Sequence, residues 1–364
     1  MSEAGDPPPE RIELCGDATP ADAALRALRG GAHLLYRGDE RNARQLLAAL
    51  ARRIRNERAR EAAGARAALS PAERFRALRE GREREHALLS RLLVELSPDY
   101  ALGLARAGDV AAACAAAWGP PDGTPRLCAL RELLGIQGAH EWYRRGVEVA
   151  ALGARVHPGY GVFAPTRRAY VELVAEALAA HPLDGLCVFD VGTGSGVLAL
   201  LAAKRGAREV VATDLEPRAV ACARENAERL GLSQRVRVIE RDLFPEGRAD
   251  LVLANPPWLP APARTRLDRA VYDPDASFAT RWLDGLREHL RAGGQGWLLI
   301  SDLPERLGLR GPDWIPARAD AAGLALLERR ERRALPALRA QRGDPIAAER
   351  SAEQIQLFQF GTKD

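Results

Sequence analysis

The sequence predicts an α/β protein in which a mostly parallel sheet follows an α-helical N-terminal domain. Three observations carry this prediction. Apolar runs alternate with helical segments after Gly146, one of these runs leads straight into a glycine-rich turn, and the preceding part is rich in Ala, Leu, Arg and Glu. Apolar runs separated by helices are typical of parallel strands covered on both faces. A chain of 364 residues has room for one to three domains.

The N-terminal part is predicted as a tail followed by helices. Residues 1–20 are acidic and proline-rich and predict a loose tail, and residues 21–145 predict a helical domain that recognises the substrate. Ser70-Pro71-Ala72-Glu73 predicts a capping box with proline at the first helical position. Its helix is expected to run to about Leu96, and residues 126–137 are expected to form another helix.

Residues 146–364 are predicted to form the α/β domain. Val147–Val156 predicts a short hairpin that turns at Gly153, before the strands and helices begin to alternate. The helices are predicted at Tyr170–Ala180, Val197–Lys204, Arg218–Leu230 and Ser277–Leu290. The strands are predicted at Leu186–Val191, Glu209–Thr213, Arg235–Glu240, Asp250–Ala254, Gly296–Ser301, Leu324–Arg330 and Gln354–Phe360.

Composition limits the classes of function. Lys and Arg number 53 against 49 Asp and Glu, and a net charge of +4 does not by itself argue for nucleic acid or a membrane. No apolar run approaches the ~20 residues of a spanning helix, and no signal peptide is expected. The five cysteines are scattered without a Cys-x-x-Cys pair, which argues against disulfides and structural zinc. We therefore expect a cytoplasmic protein with no metal and no membrane contact.

One stretch of the N-terminal domain is basic. Between Arg52 and Arg91 there are twelve Arg and six Glu. This pattern is typical of a solvated helical face with ion pairs between residues i and i+4, and equally of a surface that binds RNA or another acidic partner. Since nearly all basic residues of the chain are Arg, the abundance of Arg alone is weak evidence for phosphate binding.

Phe189-Asp190-Val191-Gly192-Thr193-Gly194-Ser195-Gly196 carries the first chemical motif. Glycines let the chain turn tightly between a strand and a helix and let a ligand approach the backbone. The third glycine comes one residue earlier than in the dinucleotide fingerprint that holds a pyrophosphate. A carboxylate at Asp190 would repel a phosphate and attract an ammonium group.

Two more acids follow the next two strands. Asp214 lies at the end of a strand, where its carboxylate can accept hydrogen bonds from both hydroxyls of a ribose, and Asp242 can accept one from an adenine amino group. Together with Asp190 they favour a nucleoside that carries an amino acid and no phosphate. S-adenosylmethionine has these features.

Asn255-Pro256-Pro257-Trp258 carries the second motif, after the fourth strand. Ligands of open α/β sheets bind at the carboxyl ends of strands. Proline lacks an N–H donor, so the motif offers acceptors, which are the Asn255 side-chain oxygen and the Pro256 carbonyl. Two acceptors can hold the hydrogens of a planar NH2 group and aim its lone pair at a methyl group, while Trp258 offers a face for stacking. The motif therefore predicts methyl transfer to nitrogen, achieved by positioning.

At these motifs the chain resembles the class I S-adenosylmethionine-dependent methyltransferases, and in particular the HemK/PrmC-type glutamine methyltransferases that modify release factors. The resemblance covers roughly residues 142–302 and includes the hairpin, Tyr272-Asp273-Pro274 and Gly293-Gly294. It implies a Rossmann-like, seven-stranded sheet.

The resemblance also assigns roles to residues. It implies that Asn255, Pro256, Pro257 and Trp258 form the catalytic motif, and that Phe163, Trp258 and Tyr272 contact the substrate. The cofactor-binding residues that it implies are Asp190, Gly192, Thr193, Gly194, Gly196, Asp214, Leu215, Asp242, Leu243 and Asn255.

We expect the acceptor to be a macromolecule, with a protein glutamine amide favoured over RNA. Four alternatives stay open at this point. The acceptor can be an exocyclic amine of rRNA or DNA, or a small molecule. The chain can instead bind the cofactor without catalysis, or be a nicotinamide dehydrogenase, which the glycine spacing disfavours.

Overall fold

A computed structural model describes residues 9–63, 69–263, 266–334 and 344–363. It divides the chain into two compact units, Met1–Glu141 and Trp142–Asp364. The division falls four residues before the boundary predicted at 145, and residues 1–8 of the predicted tail lie outside the described residues.

The first unit contains a four-stranded sheet in the order β1-β2-β3-β4, in which β1, β2 and β3 are parallel and β4 is antiparallel. Its elements are β1 (Ile12–Cys15), α1 (Ala21–Arg29), β2 (His33–Tyr36), α2 (Glu40–Ala63), α3 (Pro71–Leu89), β3 (Leu92–Leu96), α4 (Ala111–Trp118), β4 (Arg126–Ala129) and most of α5 (Leu130–Arg145), of which residues 130–141 belong to this unit. The helices α1 and α2 pack their buried Leu, Ile and Ala side chains with those of the sheet to form the core.

The prediction of a purely helical N-terminal domain was therefore wrong. Each strand has only four or five residues, too few to show a period of two, and Leu-rich segments also suit helices. The capping box at Ser70 and Glu73 is present, but its helix ends at Leu89 because the next apolar residues pair with β2. Arg126–Ala129 similarly forms a strand beside β3, and part of the predicted tail forms β1.

The second unit begins with a hairpin and continues as a seven-stranded α/β sheet. Its first elements are β5 (Val147–Val149), β6 (Ala154–Val156), α6 (Arg168–Ala179), β7 (Cys187–Val191), α7 (Val197–Lys204), β8 (Glu209–Asp214), α8 (Pro217–Arg229) and β9 (Val236–Glu240). The remaining elements are β10 (Ala249–Ala254), α9 (Arg266–Arg269), α10 (Ser277–His289), β11 (Leu290–Ser301), α11 (Leu303–Arg306), α12 (Trp314–Ala321), β12 (Leu324–Arg333), α13 (Ala347–Ala352) and β13 (Gln354–Thr362).

The order of the large sheet is β12-β13-β11-β10-β7-β8-β9. Only β13 runs against its neighbours, so the sheet is mostly parallel as predicted. From β7 the chain builds β8 and β9 on one side, then crosses to β10 and β11 on the other. The expected Rossmann-like fold is confirmed, and the crevice between the carboxyl ends of β7 and β10 is where such sheets bind ligands.

Both faces of this sheet are covered. Helices α6, α7 and α8 pack on one face with Val188 and Leu253, while α10 and α12 pack on the other with Phe189 and Val252. Neighbouring residues of a strand point to opposite faces, which explains why β7 and β10 are almost continuously apolar. This double covering holds the strand ends rigidly at the crevice.

In the described part of the chain, no helix is both long and apolar enough to cross a membrane. The same residues contain no group of three or more His, Cys, Asp or Glu side chains placed to hold a metal ion.

Candidate active site

A cleft of about 440 Å³ opens at the carboxyl ends of β7, β8 and β10. Nearly all of the predicted site residues line it. They are Phe163, Asp190, Gly192, Thr193, Gly194, Asp214, Leu215, Asp242, Leu243, Asn255, Pro256, Pro257, Trp258 and Tyr272. The exception is Gly196, which lies at the start of α7 with φ +86°, where a Cβ would lie 3.1 Å from Ala223. Gly196 therefore lets α7 pack closely on α8, and we assign it no ligand contact.

The glycine turn uses its own N–H groups. Gly192 and Thr193 both donate to the Thr213 carbonyl at 2.9 Å, and Gly196 donates to the Thr193 carbonyl at 2.9 Å. Gly194 donates to the Asp214 carboxylate at 2.9 Å. A turn that binds pyrophosphate presents such groups to the ligand instead. Because the N–H groups of this turn are already bonded within the protein, the turn is poorly suited to a dinucleotide and fits a nucleoside that carries no phosphate.

Asp190 is a fully buried carboxylate in the cleft wall. Its Oδ2 accepts the Thr193 hydroxyl at 2.6 Å and the Ala199 N–H at 3.0 Å, which fixes the side chain against the first turn of α7. Burial raises the pKa of Asp190 to about 6, with the nearby Asp214 charge adding to the rise. A buried anion with a raised pKa favours a cationic partner, and the α-ammonium of an amino acid would supply one.

Asp214 ends β8 on the same side of the cleft. Its Oδ2 accepts the Gly194 N–H and its Oδ1 accepts the Glu216 N–H, each at 2.9 Å. Burial raises the pKa of this carboxyl as well. Each carboxylate oxygen has about two lone-pair sites, so both can accept a further hydrogen bond. This geometry fits a pair of ribose hydroxyls.

We expect the binding of S-adenosylmethionine to weaken as the pH falls through about 6, because Asp190 becomes protonated there and loses its attraction for an ammonium group. The ligand's own α-amino group, with a pKa near 8, stays charged over this range. The dissociation constant should rise about tenfold between pH 7 and pH 5, as measured by calorimetry. A flat profile would contradict this role of Asp190.

Apolar and charged side chains complete the donor side of the cleft. Leu215 follows Asp214 and is 66% exposed, and Leu243 has φ +56°. The buried Thr213 hydroxyl donates to the Leu243 carbonyl at 2.5 Å, which holds this residue in its unusual conformation. Asp242, predicted to accept an adenine amino group, forms an ion pair with Arg281 from α10. The side chains of Leu215 and Leu243, together with the Asp242 carboxylate, make this part of the cleft suitable for a planar base such as adenine.

The Asn-Pro-Pro-Trp motif is held by the segment that follows it. The N–H groups of Trp258 and Leu259 donate to the Val271 carbonyl at 3.2 and 3.0 Å. Asp273 in turn accepts the Phe278 N–H at 2.8 Å and so caps the start of α10. Pro256 is buried and Asn255 is half-buried, so the two acceptors of the motif line the cleft from a fixed backbone.

Sequence reasoning missed several residues that shape the cleft. Arg281 and Phe278 line it and come from segments without a recognisable motif, while Arg167, at the end of Pro165-Thr166-Arg167, lines it without having been assigned a role. A Cβ on Gly192, where φ is +73°, would lie 3.2 Å from the Phe278 ring, so this glycine permits the close packing of α10. Contacts between segments so distant in the chain leave no local pattern that a reader of the sequence could find.

Asn226 is another missed residue, and it is fully buried on α8. Its amide donates to the Ser195 carbonyl at 3.0 Å and the His157 carbonyl at 3.2 Å, and its oxygen accepts the His157 N–H at 2.8 Å. Asn226 thus connects the glycine turn to the segment that contains His157. This segment leads to Phe163, and Phe163 lines the cleft.

We expect Asn226→Ala to lower the free energy of unfolding by roughly 2–4 kcal/mol, because it leaves buried backbone groups unpaired. Thermal unfolding and a titration with S-adenosylmethionine, whose affinity should also fall, check this. Glu228→Gln changes an exposed residue of the same helix and serves as the control. Equal stability of the Asn226 and Glu228 variants would show that the linkage is unimportant.

The comparisons with known proteins agree with this geometry. Residues 169–256 match the family described as ribosomal protein L11 methyltransferase (PrmA). A ribosomal protein L11 methyltransferase from Pelotomaculum thermopropionicum is 36% identical over 194 residues, which are 52% of this chain and 54% of that protein. A release factor glutamine methyltransferase from Cereibacter sphaeroides is 36% identical over 173 residues, which are 43% of this chain and 59% of that protein.

Among solved structures, a ribosomal protein L11 methylase from Lactobacillus delbrueckii subsp. bulgaricus aligns with a TM-score of 0.40 and 22% identity, over 57% of this chain and 86% of that one. The chain spans a little over half the length of the two curated relatives. The predicted resemblance to S-adenosylmethionine-dependent methyltransferases is confirmed, and S-adenosylmethionine is the methyl donor of that class.

Proposed function

We propose that this protein transfers a methyl group from S-adenosylmethionine to a nitrogen of a protein, and that this nitrogen belongs to a glutamine side-chain amide. One observation carries the proposal. The acceptor pair of Asn255 and Pro256 lines the same cleft as the carboxylates of Asp190 and Asp214. A site for an aminoacyl nucleoside and a site for a planar NH2 group therefore adjoin.

On the donor side the residues of this chain bind and orient. Asp190 attracts the ammonium group, Asp214 holds the ribose, and Leu215 and Leu243 flank the base. S-adenosylmethionine supplies a methyl group that is bonded to a sulfonium. The nitrogen lone pair forms the new bond to the methyl carbon, while the carbon–sulfur bond breaks and leaves its electron pair on sulfur. The methylated nitrogen then releases one proton to water. Two fixed carboxylates near the ligand favour binding of a cation over binding of the neutral product.

On the acceptor side the nitrogen is oriented by hydrogen bonds. An amide nitrogen delocalises its lone pair into the carbonyl and is a weak nucleophile. The Asn255 side-chain oxygen and the Pro256 carbonyl accept its two hydrogens and draw them out of the amide plane. The lone pair then points at the methyl group, and catalysis comes from this positioning and from electrostatics.

The charges of the cleft favour an amide over a lysine amine. A lysine must lose a proton before it can attack, which calls for a base in the cleft. Five carboxylates line it, and four of them already accept a hydrogen bond or an ion pair: Asp190 from Thr193, Asp214 from Gly194, Asp242 from Arg281 and Asp273 from Phe278. The fifth, Glu216, lies two residues after Asp214, on the donor side of the cleft. An amide needs no prior deprotonation, because its proton leaves after the nitrogen has been methylated.

The relatives are named for two different acceptor proteins, ribosomal protein L11 and a release factor, and their alignments leave the choice between them open. The match to the L11 methyltransferase family ends at Pro256, inside the second motif, and so covers the donor side of the cleft. The glutamine assignment therefore rests on the cleft and on the Asn-Pro-Pro-Trp motif. We further propose that the N-terminal unit selects the acceptor protein.

An RNA acceptor is the second candidate, and the basic helices α2 and α3 motivate it. Several of their arginines are engaged in ion pairs within the unit, among them Arg53–Asp22 between α2 and α1 and Arg55–Glu85 between α2 and α3. These pairs reduce the positive charge available for phosphate, and so a protein acceptor is favoured. A cytoplasmic location is part of the proposal, and the five cysteines, all free and buried, are consistent with it.

The test is transfer of labelled methyl groups from S-adenosylmethionine into extract of cells that lack the gene, followed by protease or nuclease. We expect the label to be in macromolecules from which protease treatment releases it and nuclease treatment does not. Nuclease-sensitive label would replace the protein acceptor with RNA or DNA. Label only in small molecules, or no label despite bound cofactor, would overturn the proposal.

A further inference from the structure

One arginine lies against the aromatic ring of the second motif. The Arg167 guanidinium is 5.7 Å from the centre of the Trp258 ring, and both residues line the cleft. Arg167 stands just before α6, far in sequence from the motif it contacts. The guanidinium therefore lies beside the motif that is proposed to orient the acceptor.

A buried carboxylate fixes this arginine. Arg167 donates to Glu353 at 3.3 Å, and the Ser301 hydroxyl donates to the same Glu353 oxygen at 2.7 Å. Glu353 is 3% exposed, between α13 and β13, while 41% of the Arg167 side chain is accessible. A guanidinium carries five N–H donors in one plane, so a contact with one carboxylate oxygen leaves donors for a ligand.

We infer that Arg167 binds the carbonyl oxygen of the acceptor amide and so selects a carboxamide nitrogen over a cationic amine. The inference rests on the proposed function and names a residue that determines its specificity. A carboxamide presents two hydrogens at one end of its plane and a carbonyl oxygen at the other. Asn255 and Pro256 accept the hydrogens, and Arg167 donates to the oxygen.

Charge acts in the same direction. A lysine ammonium that approached Trp258 would meet the positive guanidinium of Arg167 and could not accept a hydrogen bond from it. Glu353 neutralises part of this charge, and so hydrogen bonding contributes more to the selection than repulsion does. A hydrogen bond between a charged donor and a carbonyl contributes about 1.5–3 kcal/mol to binding. Loss of this bond therefore corresponds to a roughly 10- to 100-fold decrease in kcat/KM for the acceptor.

Two variants separate this role from a structural one. Arg167→Met removes the charge and the donors. Arg167→Lys keeps a cation that can reach Trp258 and Glu353 but lacks the planar set of donors. If Arg167 only held Trp258 in place, lysine would restore activity. If it binds the acceptor carbonyl, lysine should restore stability fully but activity only in part.

The measurement is kcat/KM for the protease-sensitive acceptor fraction, together with the dissociation constant of S-adenosylmethionine and the unfolding temperature. We expect kcat/KM to fall at least tenfold in Arg167→Met and severalfold in Arg167→Lys, with cofactor binding changed less than twofold. Arg318→Met serves as the control, since it removes an arginine that is ion-paired to Asp284 and does not line the cleft.

Mass spectrometry of the labelled protein completes the test. Methylglutamine in the wild-type product, with a larger share of methyllysine in the product of Arg167→Met, is the expected result. Methyllysine in the wild-type product, or unchanged acceptor kinetics in both Arg167 variants, would overturn the inference while leaving methyl transfer itself intact. Failure of methyl transfer as such would appear instead as wild-type protein that labels nothing.

Discussion

Replacing Asn255 with alanine is expected to lower methyl transfer by about 10²–10³-fold, while the dissociation constant for S-adenosylmethionine changes only a few-fold. The side-chain oxygen of Asn255 is one of two acceptors that aim the acceptor nitrogen. Without it the amide remains planar and its lone pair is not directed at the methyl group. The carboxylates of Asp190 and Asp214, which are proposed to bind the donor, are untouched by the change.

Initial rates of label transfer and a calorimetric titration measure the two quantities on the same preparation. Gln234→Ala, an exposed residue between α8 and β9 that does not line the cleft, is the control and should keep full activity. An Asn255→Ala variant that binds cofactor and transfers methyl groups at the wild-type rate would falsify the catalytic assignment. It would favour the alternative in which the Asn-Pro-Pro-Trp loop is an interaction surface.

Replacing Asp190 with asparagine is expected to change two properties in opposite directions. Binding of S-adenosylmethionine should weaken by roughly 10- to 100-fold, because the ammonium group loses its charged partner. Stability without ligand should rise at pH 7, since an ionised carboxylate no longer has to be buried. A pKa of about 6 against the ordinary aspartate value of 3.8 corresponds to a cost of about 3 kcal/mol at neutral pH.

The pH dependence of this gain follows from the sign of the shift. The folded pKa is raised, so the folded state binds more protons than the unfolded chain between pH 4 and pH 6. The stability gain of Asp190→Asn should therefore be complete above about pH 6 and disappear towards pH 4. Thermal unfolding at several pH values measures it. A variant that is less stable than wild type at pH 7 would show that Asp190 stabilises the fold and is not kept for its ligand.

Sequence reasoning predicted the second unit well because its strands are buried on both faces. Residues such as Val188 and Leu253 form continuous apolar runs, and the motifs follow the strands directly. The first unit was misread because β2 and β4 have four residues each and their apolar side chains fit a helix equally well. Only pairing with distant strands decides between the two, and a local pattern does not contain that pairing.

In the candidate site, too, some residues were predictable from the local sequence and others were not. The residues at strand ends, such as Asp214 and Asn255, were predictable because strand order places them at one edge. Arg167, Arg281 and Asn226 were not, since each acts through a partner more than thirty residues away in the chain. Gly196 was assigned to the ligand because it belongs to the glycine turn, yet its contact is with Ala223.

The central claim is that the cleft methylates the nitrogen of a carboxamide in a protein. The most direct test is to label the protein fraction of an extract with the methyl group of S-adenosylmethionine and to identify the modified residue by mass spectrometry. We predict methylglutamine, formed by wild-type protein and absent with Asn255→Ala. Label on a nucleotide, or on lysine at a rate that Asn255→Ala does not lower, would contradict the account.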